Sequence, residues 1–171
     1  MSREYELRRV QELPLPPEEV FAFFAEARNL EVITPPLLKF RVLTEGPIAM
    51  QTGALIDYRL QLFGVPFGWR TIIESYDAPR MFVDRQLRGP YTLWHHTHTF
   101  EPILDEAGRA TATRMTDVVR YRLPLGPLGT LAHGLFVRRT LAKIFDYRAR
   151  TIDNLLTRHR GLPADLSASA G

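Results

Sequence analysis

Between Lys39 and Arg122 the chain runs for 84 residues without a helical period, offering only strand-length apolar runs divided by turn residues. The runs are Phe40–Thr44, Ala54–Leu62, Phe67–Tyr76, Met81–Arg88, Tyr91–Pro102 and Ala110–Leu123. The breakers are Glu45-Gly46-Pro47, Phe63-Gly64-Val65-Pro66, Asp77-Ala78-Pro79, Gly89-Pro90 and Asp105-Glu106-Ala107-Gly108. Connections this short cannot hold parallel crossovers, so an antiparallel meander is expected. Residues 4–13, with Tyr5, Leu7 and Val10 apolar among charges, read as an edge strand and bring the count to seven.

Helices flank the meander on both sides. Pro14, Pro16 and Pro17 end the first strand, and Glu18 and Glu19 then suit a helical first turn, followed by the densely apolar Val20, Phe21, Phe23, Phe24 and Ala27. Leu30–Ile33 forms a second brief helix, stopped by Thr34-Pro35-Pro36. Leu123-Pro124-Leu125-Gly126-Pro127 closes the sheet region. Residues 128–158 read as one long amphipathic helix. Its apolar positions are Leu131, Leu135, Val137, Leu141, Ile144, Phe145, Ile152, Leu155 and Leu156, and Arg139, Lys143, Asp146, Arg150 and Asp153 lie opposite. Gly161-Leu162-Pro163 ends it, leaving residues 164–171 as a frayed tail. The expected class is α+β, with a single domain over residues 1–160.

Composition narrows the chemistry. With 171 residues, 45% of them apolar, the chain can bury a core large enough to dispense with staples. It has no cysteine, which excludes disulfides, thiol catalysis, iron–sulfur clusters and Cys-based zinc sites. No stretch approaches the ~20 apolar residues of a membrane span, and Met1–Glu6 lacks a signal peptide's apolar core, so a cytoplasmic protein is expected. Residues 1–127 carry 15 basic and 16 acidic side chains, net −1, whereas residues 128–160 carry 7 and 2, net +5. A basic helix suits nucleic acid or anionic lipid. Arg outnumbers Lys 20 to 2 throughout, which resembles a codon bias, and no nucleic-acid motif accompanies the charge. No nucleic-acid partner is expected.

Side chains alternate along a strand, so each run divides into two faces. Ile56, Tyr58, Leu60 and Leu62 share one; Trp69, Thr71 and Ile73 another; then Trp94, His96, His98 and Phe100; then Met115, Asp117, Val119 and Tyr121. For residues 81–88 the Phe82, Asp84 and Gln86 face is preferred as inner. Such an inner surface is polar for a core. Buried polar groups must pair, change protonation, meet water or face a ligand, and an apolar chamber with a few convergent polar groups describes a small-molecule site.

Several segments carry a family resemblance: Asn29-Leu30 with Ile33-Thr34-Pro35-Pro36; Trp69-x-Thr71-x-Ile73; Gly89-Pro90-Tyr91-x-x-Trp94-x-His96-x-His98-x-Phe100; Asp117-x-Val119-x-Tyr121-x-x-Pro124-x-Gly126; and Ile144-Phe145-Asp146-Tyr147-Arg148. Over about residues 3–158 the chain resembles the SRPBCC (START-like, helix-grip) superfamily, and within it the bacterial branch described as polyketide cyclase/dehydrase-like. The resemblance implies a curved seven-stranded antiparallel sheet gripping the long C-terminal helix around a hydrophobic cavity. It implies a lipid, polyketide or similar ligand, with cyclases a minority of members.

The sequence therefore supports a protein that binds a hydrophobic small molecule. Tyr58, Trp69, Ile73, Gln86, Trp94, His96, His98, Phe100, Asp117, Val119, Tyr121, Leu141 and Phe145 are the candidate ligand-binding residues. Trp69, Trp94, Phe100 and Val119 would supply apolar wall, and His96, His98, Asp117 and Tyr121 would orient a polar end. An enzyme alternative gives His98 and Asp117 an acid–base role on a carbonyl substrate, since a carboxylate raises an imidazole's basicity and fixes its tautomer. His96-x-His98 places two imidazoles ~7 Å apart on one strand face, a spacing metal sites use, with Asp117 or Asp84 able to complete the set. Histidines bonded to inward Asp and Tyr partners are the preferred reading, with no metal and no cofactor. Gly64-x-x-x-Gly68 and Gly126-x-x-Gly129 read as turn glycines rather than phosphate loops. Arg148, beside the apolar stripe, is expected to lay its stem over apolar neighbours and reach solvent, with a role capping the cavity as the alternative. The loop Phe63–Gly68 and the segment Leu123–Gly129 form either a cavity lip or simple turns. A third reading docks Arg139, Lys143 and Arg150 on a partner or an anionic membrane; the oligomeric state is open.

Overall fold

The computed structural model describes residues 3–160 apart from Phe63, so the expected tail lies outside the described residues. Strand β1 (Glu4–Leu13) is followed by helices α1 (Pro17–Ala25) and α2 (Asn29–Ile33), a 3-10 turn at Pro36–Leu38 and the two-residue strand β2 (Arg41–Val42). Strands β3 (Leu55–Leu62), β4 (Val65–Asp77), β5 (Met81–Arg88), β6 (Leu93–Leu104) and β7 (Ala110–Arg122) then form the meander. The sheet order is β1-β7-β6-β5-β4-β3-β2, every neighbour antiparallel. Sequential hairpins account for β2 to β7, and β1 returns to cover the β7 edge. Pairing shifts at Arg70/Thr71, Ile73/Ser75 and Ile103/Leu104 interrupt the ladders, and irregularities of this kind bend the strands that carry them.

The start of α1 forms as the sequence dictates. Pro17 occupies the first turn, Glu18 and Glu19 face the helix's positive end, and Pro17, Val20, Phe21 and Phe24 are buried. On β1 the inward set is Tyr5, Leu7, Arg9, Gln11 and Leu13, and Val10 is on the outer face at 53% exposure.

The C-terminal rod departs from one uniform helix. Helix α3 (Gly126–Ala132) passes through a π-helical turn at His133–Val137 into α4 (Arg138–Arg160). A π turn inserts one extra residue, which rotates the helix face by about 100°. The apolar stripe before it is thus out of phase with the one after. Leu131 and Leu135 are exposed, whereas Leu141, Phe145, Ile152 and Leu156 are buried against the sheet and α1.

The buried apolar side chains form three clusters. One joins α1, the end of α4 and strands β6 and β7 around Phe21, Phe24, Phe100 and Met115. A second gathers Ile56, Tyr58 and Ile73 of β3 and β4 with Ala27 from the α1–α2 connection, and a third joins Val119 and Tyr121 to Leu141 and Phe145. A chamber bordered by residues of all three lies between sheet and helices.

Candidate functional site

The chamber's walls follow from strand alternation. Ile56 and Tyr58 of β3, Trp69, Thr71 and Ile73 of β4, Phe82 and Asp84 of β5, and Trp94, His96 and His98 of β6 all face it. The helical side is closed by Phe24, Ala27 and Leu30 and by Leu141, Phe145 and Arg148 of α4. The centre of a water molecule has about 210 Å³ in which to move, far above the ~10–15 Å³ that one enclosed water requires. Most of the lining is apolar, so the few polar groups stand out.

On β5 and β6 the ionisable ones, Asp84, His96 and His98, form a cluster with Asp117 of β7 behind them, and the ladder places all four. Asp84 sits directly across from His96, and Asp117 directly across from His98, on the strands either side of β6. His98 Nε2 is 3.0 Å from Asp84 Oδ2, and His96 Nε2 is 3.0 Å from Asp117 Oδ1. His96 Nδ1 lies 3.5 Å from Asp84 Oδ2. His98 Nδ1 approaches Asp117 Oδ1 to 2.7 Å but off the line of an N–H bond, so this nitrogen has no hydrogen-bond partner. The two imidazole centroids are 3.8 Å apart, much closer than strand spacing alone suggests, because the same two carboxylates draw both rings together.

Burial opposes charge on every member, yet the cluster sorts itself. Desolvation raises Asp117, but His98, His96 and Arg148 outweigh it and hold this carboxyl well below its ordinary range. Asp84 is lowered by the same balance, with burial opposed chiefly by His96 and His98. Desolvation and the neighbouring His98 push His96 down. His98 is pulled down by burial and lifted more strongly by Asp117 and Asp84, ending above its ordinary value. The surroundings thus favour charge on both carboxylates and on His98 and disfavour it on His96.

Arg148 turns inward instead of reaching out along its stem. Its guanidinium carbon is 5.6 Å from the Phe24 ring centroid and 5.8 Å from that of Phe145, and its buried Nε has no hydrogen-bond partner. Its charge lies close enough to Asp84 and Asp117 to help hold both carboxyls below their ordinary range. Of the two sequence readings of this residue, the structure takes the cavity-capping one.

At one end of the chamber Trp69, Tyr91 and Trp94 form an aromatic wall. Trp69 and Trp94 meet edge to face at 5.2 Å, and Tyr91 lies 4.8 Å from Trp94. Trp69 Nε1 donates to Thr71 Oγ1 at 3.0 Å, which satisfies the indole and fixes its ring. Burial raises the Tyr58 and Tyr91 hydroxyls above their ordinary values, so both stay protonated. The Gln86 amide donates to Tyr91 O at 2.7 Å and braces the Gly89-Pro90 turn. A Cβ on Gly89 would come within 2.5 Å of Gln86 Oε1, so glycine is what permits that brace.

Of the sequence candidates, Tyr58, Trp69, Ile73, Trp94, His96, His98, Leu141 and Phe145 line the chamber. Gln86, Phe100, Asp117, Val119 and Tyr121 are placed elsewhere. Gln86 is occupied by the turn, and Phe100 is packed between Phe21, Phe24 and Phe82. Val119 is fully buried behind Leu141 and Phe145. The Tyr121 hydroxyl is 2.8 Å from His133 Nε2, beneath the π turn. Asp117 meets the imidazoles from behind, next to a smaller hollow under α4 shared with Arg9, Gln11 and Arg148. β6 is central, so residues on the β7 inner face lie behind its imidazoles as seen from the chamber. The carboxylate that faces the chamber beside His98 is Asp84. The sequence candidates also omit Phe24, Ala27, Leu30, Tyr91 and Arg148. Their signals were the apolar run around α1, the Asn29-Leu30 and Gly89-Pro90-Tyr91 segments and the misplaced cation in α4.

Fold and site together define a helix-grip chamber, mostly apolar in its lining, with a cluster of ionisable groups on β5 and β6. Residues 13–146 match the family described as polyketide cyclase / dehydrase and lipid transport, and the chain belongs to it. No curated protein matches. Among solved structures, the Zhui aromatase/cyclase of a Streptomyces strain is 16% identical with a TM-score of 0.72, the match covering 95% of this chain and 99% of that one. A Thermus thermophilus protein is 16% identical with a TM-score of 0.69, covering 97% and 100%. A START superfamily protein of Mycobacterium smegmatis is 12% identical with a TM-score of 0.61, covering 90% and 97%. At these identities the likeness is one of fold. Among the described residues no helix is long and apolar enough to cross a membrane.

Proposed function

We propose that this protein binds a hydrophobic small molecule in the chamber, its apolar body against Trp69, Trp94, Ile73 and Leu141 and its polar end toward His98, Asp84 and Arg148. The observation that carries this reading is the chamber itself. A well-packed interior leaves few voids larger than a water, and this one has room for a ligand and a single polar patch to orient it. Burying ~300 Å² of ligand apolar surface contributes roughly 7 kcal/mol before ordering losses, which suits micromolar, exchangeable binding. The family's description in terms of lipid transport and the likeness in fold to a START superfamily protein support it.

A second reading draws on the His98–Asp84 hydrogen bond at the chamber wall. A carboxylate and an imidazole so placed can shuttle a proton to and from a carbonyl substrate, in keeping with the family's cyclase/dehydrase description and the aromatase/cyclase likeness. Native mass spectrometry of unheated protein separates the two. An intact apolar ligand supports carriage, whereas conversion of that compound, abolished in His98→Ala, supports catalysis. Recovery of ligand-free protein that also takes up no apolar compound would dismiss both.

A further inference from the structure

Three donor atoms gather at the chamber wall: Asp84 Oδ2, His96 Nδ1 and His98 Nε2. Asp84 Oδ2 is 3.5 Å from the first nitrogen and 3.0 Å from the second, and all three residues' ligand atoms lie within 4.8 Å of one another. Donors held tetrahedrally at zinc's ordinary 2.0–2.1 Å bond length are about 3.4 Å apart, so the two separations from Asp84 Oδ2 are close to those of atoms sharing one ion.

Behind them stands Asp117. Its Oδ1 is 3.0 Å from His96 Nε2 and 2.7 Å from His98 Nδ1, so each imidazole turns one nitrogen toward Asp84 and the other toward Asp117. A carboxylate behind a ligating imidazole is the arrangement that fixes its tautomer and raises its basicity. The hydrogen bonding points the same way. If His96 donates from Nε2 to Asp117, the neutral ring presents its Nδ1 lone pair toward the Asp84 carboxylate. That lone pair and the carboxylate oxygen, 3.5 Å apart, are a donor pair that one ion can share once it displaces the proton His98 holds toward Asp84.

We propose that Asp84, His96 and His98 form a binding site for one divalent first-row transition ion, zinc foremost, with Asp117 positioning both imidazoles. Two imidazoles and a carboxylate favour such an ion over calcium or magnesium, which prefer oxygen alone. Three protein ligands leave a coordination position toward the chamber, since all three residues line it. With two carboxylates, Arg148 and the ion, the patch carries one net positive charge. A chamber ligand bearing a carboxylate, enolate or phenolate oxygen would neutralise it. That last step rests on the proposed ligand-binding role, whereas the metal site does not.

The test is titration of chelator-treated, ligand-free protein with Zn²⁺ by calorimetry and with Co²⁺ by visible absorption. One ion per chain is expected, with Co²⁺ giving a tetrahedral spectrum. Asp84→Asn and His98→Ala are expected to weaken binding by more than 100-fold, and Asp117→Asn by 10–100-fold. His95→Ala serves as the control. This histidine is on the opposite face of β6, 3.1 Å from Glu74, and its loss should change nothing. Zinc-edge X-ray absorption of the wild-type protein covers variants that fail to fold, and two imidazole ligands are expected. Absence of binding, binding indifferent to Asp84→Asn and His98→Ala, or a spectrum with fewer than two imidazoles would overturn the proposal. Metal binding without uptake of any apolar compound would leave the site standing and remove the ligand-binding reading.

Discussion

Asp117 Oδ1 stands 3.0 Å from His96 Nε2, and this contact ties β7 to β6 between two buried side chains. Removing one partner of a buried charged network strands the other, which costs about 3–5 kcal/mol. Asp117→Ala should therefore lower unfolding free energy by about that amount in urea titration. Asp117→Asn, which preserves shape and one acceptor, should lose less. Equal stability of wild type and Asp117→Ala would show that the network contributes nothing.

Arg148 should decide between ligand head groups. Its unpartnered, buried Nε and its position on the chamber wall suit an anionic oxygen. Arg148→Met keeps the stem's volume and deletes the cation. For matched apolar compounds differing only in a carboxylate, the variant should bind the acid at least tenfold more weakly than wild type and the neutral compound about equally. A parallel loss for both would reduce Arg148 to packing.

His133 gives the π turn a pH dependence. The ring stacks on Tyr5 at 3.5 Å between centroids and its Nε2 is 2.8 Å from the Tyr121 hydroxyl, with Arg138 and Arg3 the nearby cations. Desolvation first, then those two cations, lower its pKa from the ordinary 6.5. The unfolded chain thus takes up this proton before the folded one does, and stability must fall as pH falls. The contribution is complete above about pH 6.5 and is lost progressively below it. Amide hydrogen exchange across residues 126–137 should be faster at pH 5 than at pH 7 after correction for intrinsic rates, and His133→Phe should remove the difference. Equal corrected rates in the wild type would refute it.

The legible part of the sequence was the part written in period. Alternation along β3, β4, β6 and β7 sorted Tyr58, Trp69, Ile73, Trp94, His96 and His98 onto the face that lines the chamber. Turn residues then located the strands to within a few positions. Depth was harder to read. Alternation assigns Asp117, Val119 and Tyr121 to the same inner face as the imidazoles, but only the curvature of the assembled sheet and the path of α4 decide which of them reach the void. The phase of the C-terminal helix was hidden too. Its repeat looks continuous from Leu131 to Leu156, and one inserted residue at His133–Val137 turns Leu131 and Leu135 to the surface. Arg148 lies over Phe24 and Phe145 on the chamber wall, a placement that depends on α1 and on the sheet and that no local pattern contains.

The central claim is that the interior holds a molecule other than the protein's own atoms, and a titration with an apolar fluorescent naphthalene compound tests it most directly. Trp69 and Trp94, the two tryptophans of the chain, both line the chamber and report occupancy. Saturable one-to-one binding with tryptophan quenching is predicted for the wild type. In Ala27→Phe and Ile144→Trp, which fill the same space from the α1–α2 connection and from α4, affinity should fall at least tenfold while the fold persists. Binding that does not saturate, or that survives both fillings unchanged, would contradict the account.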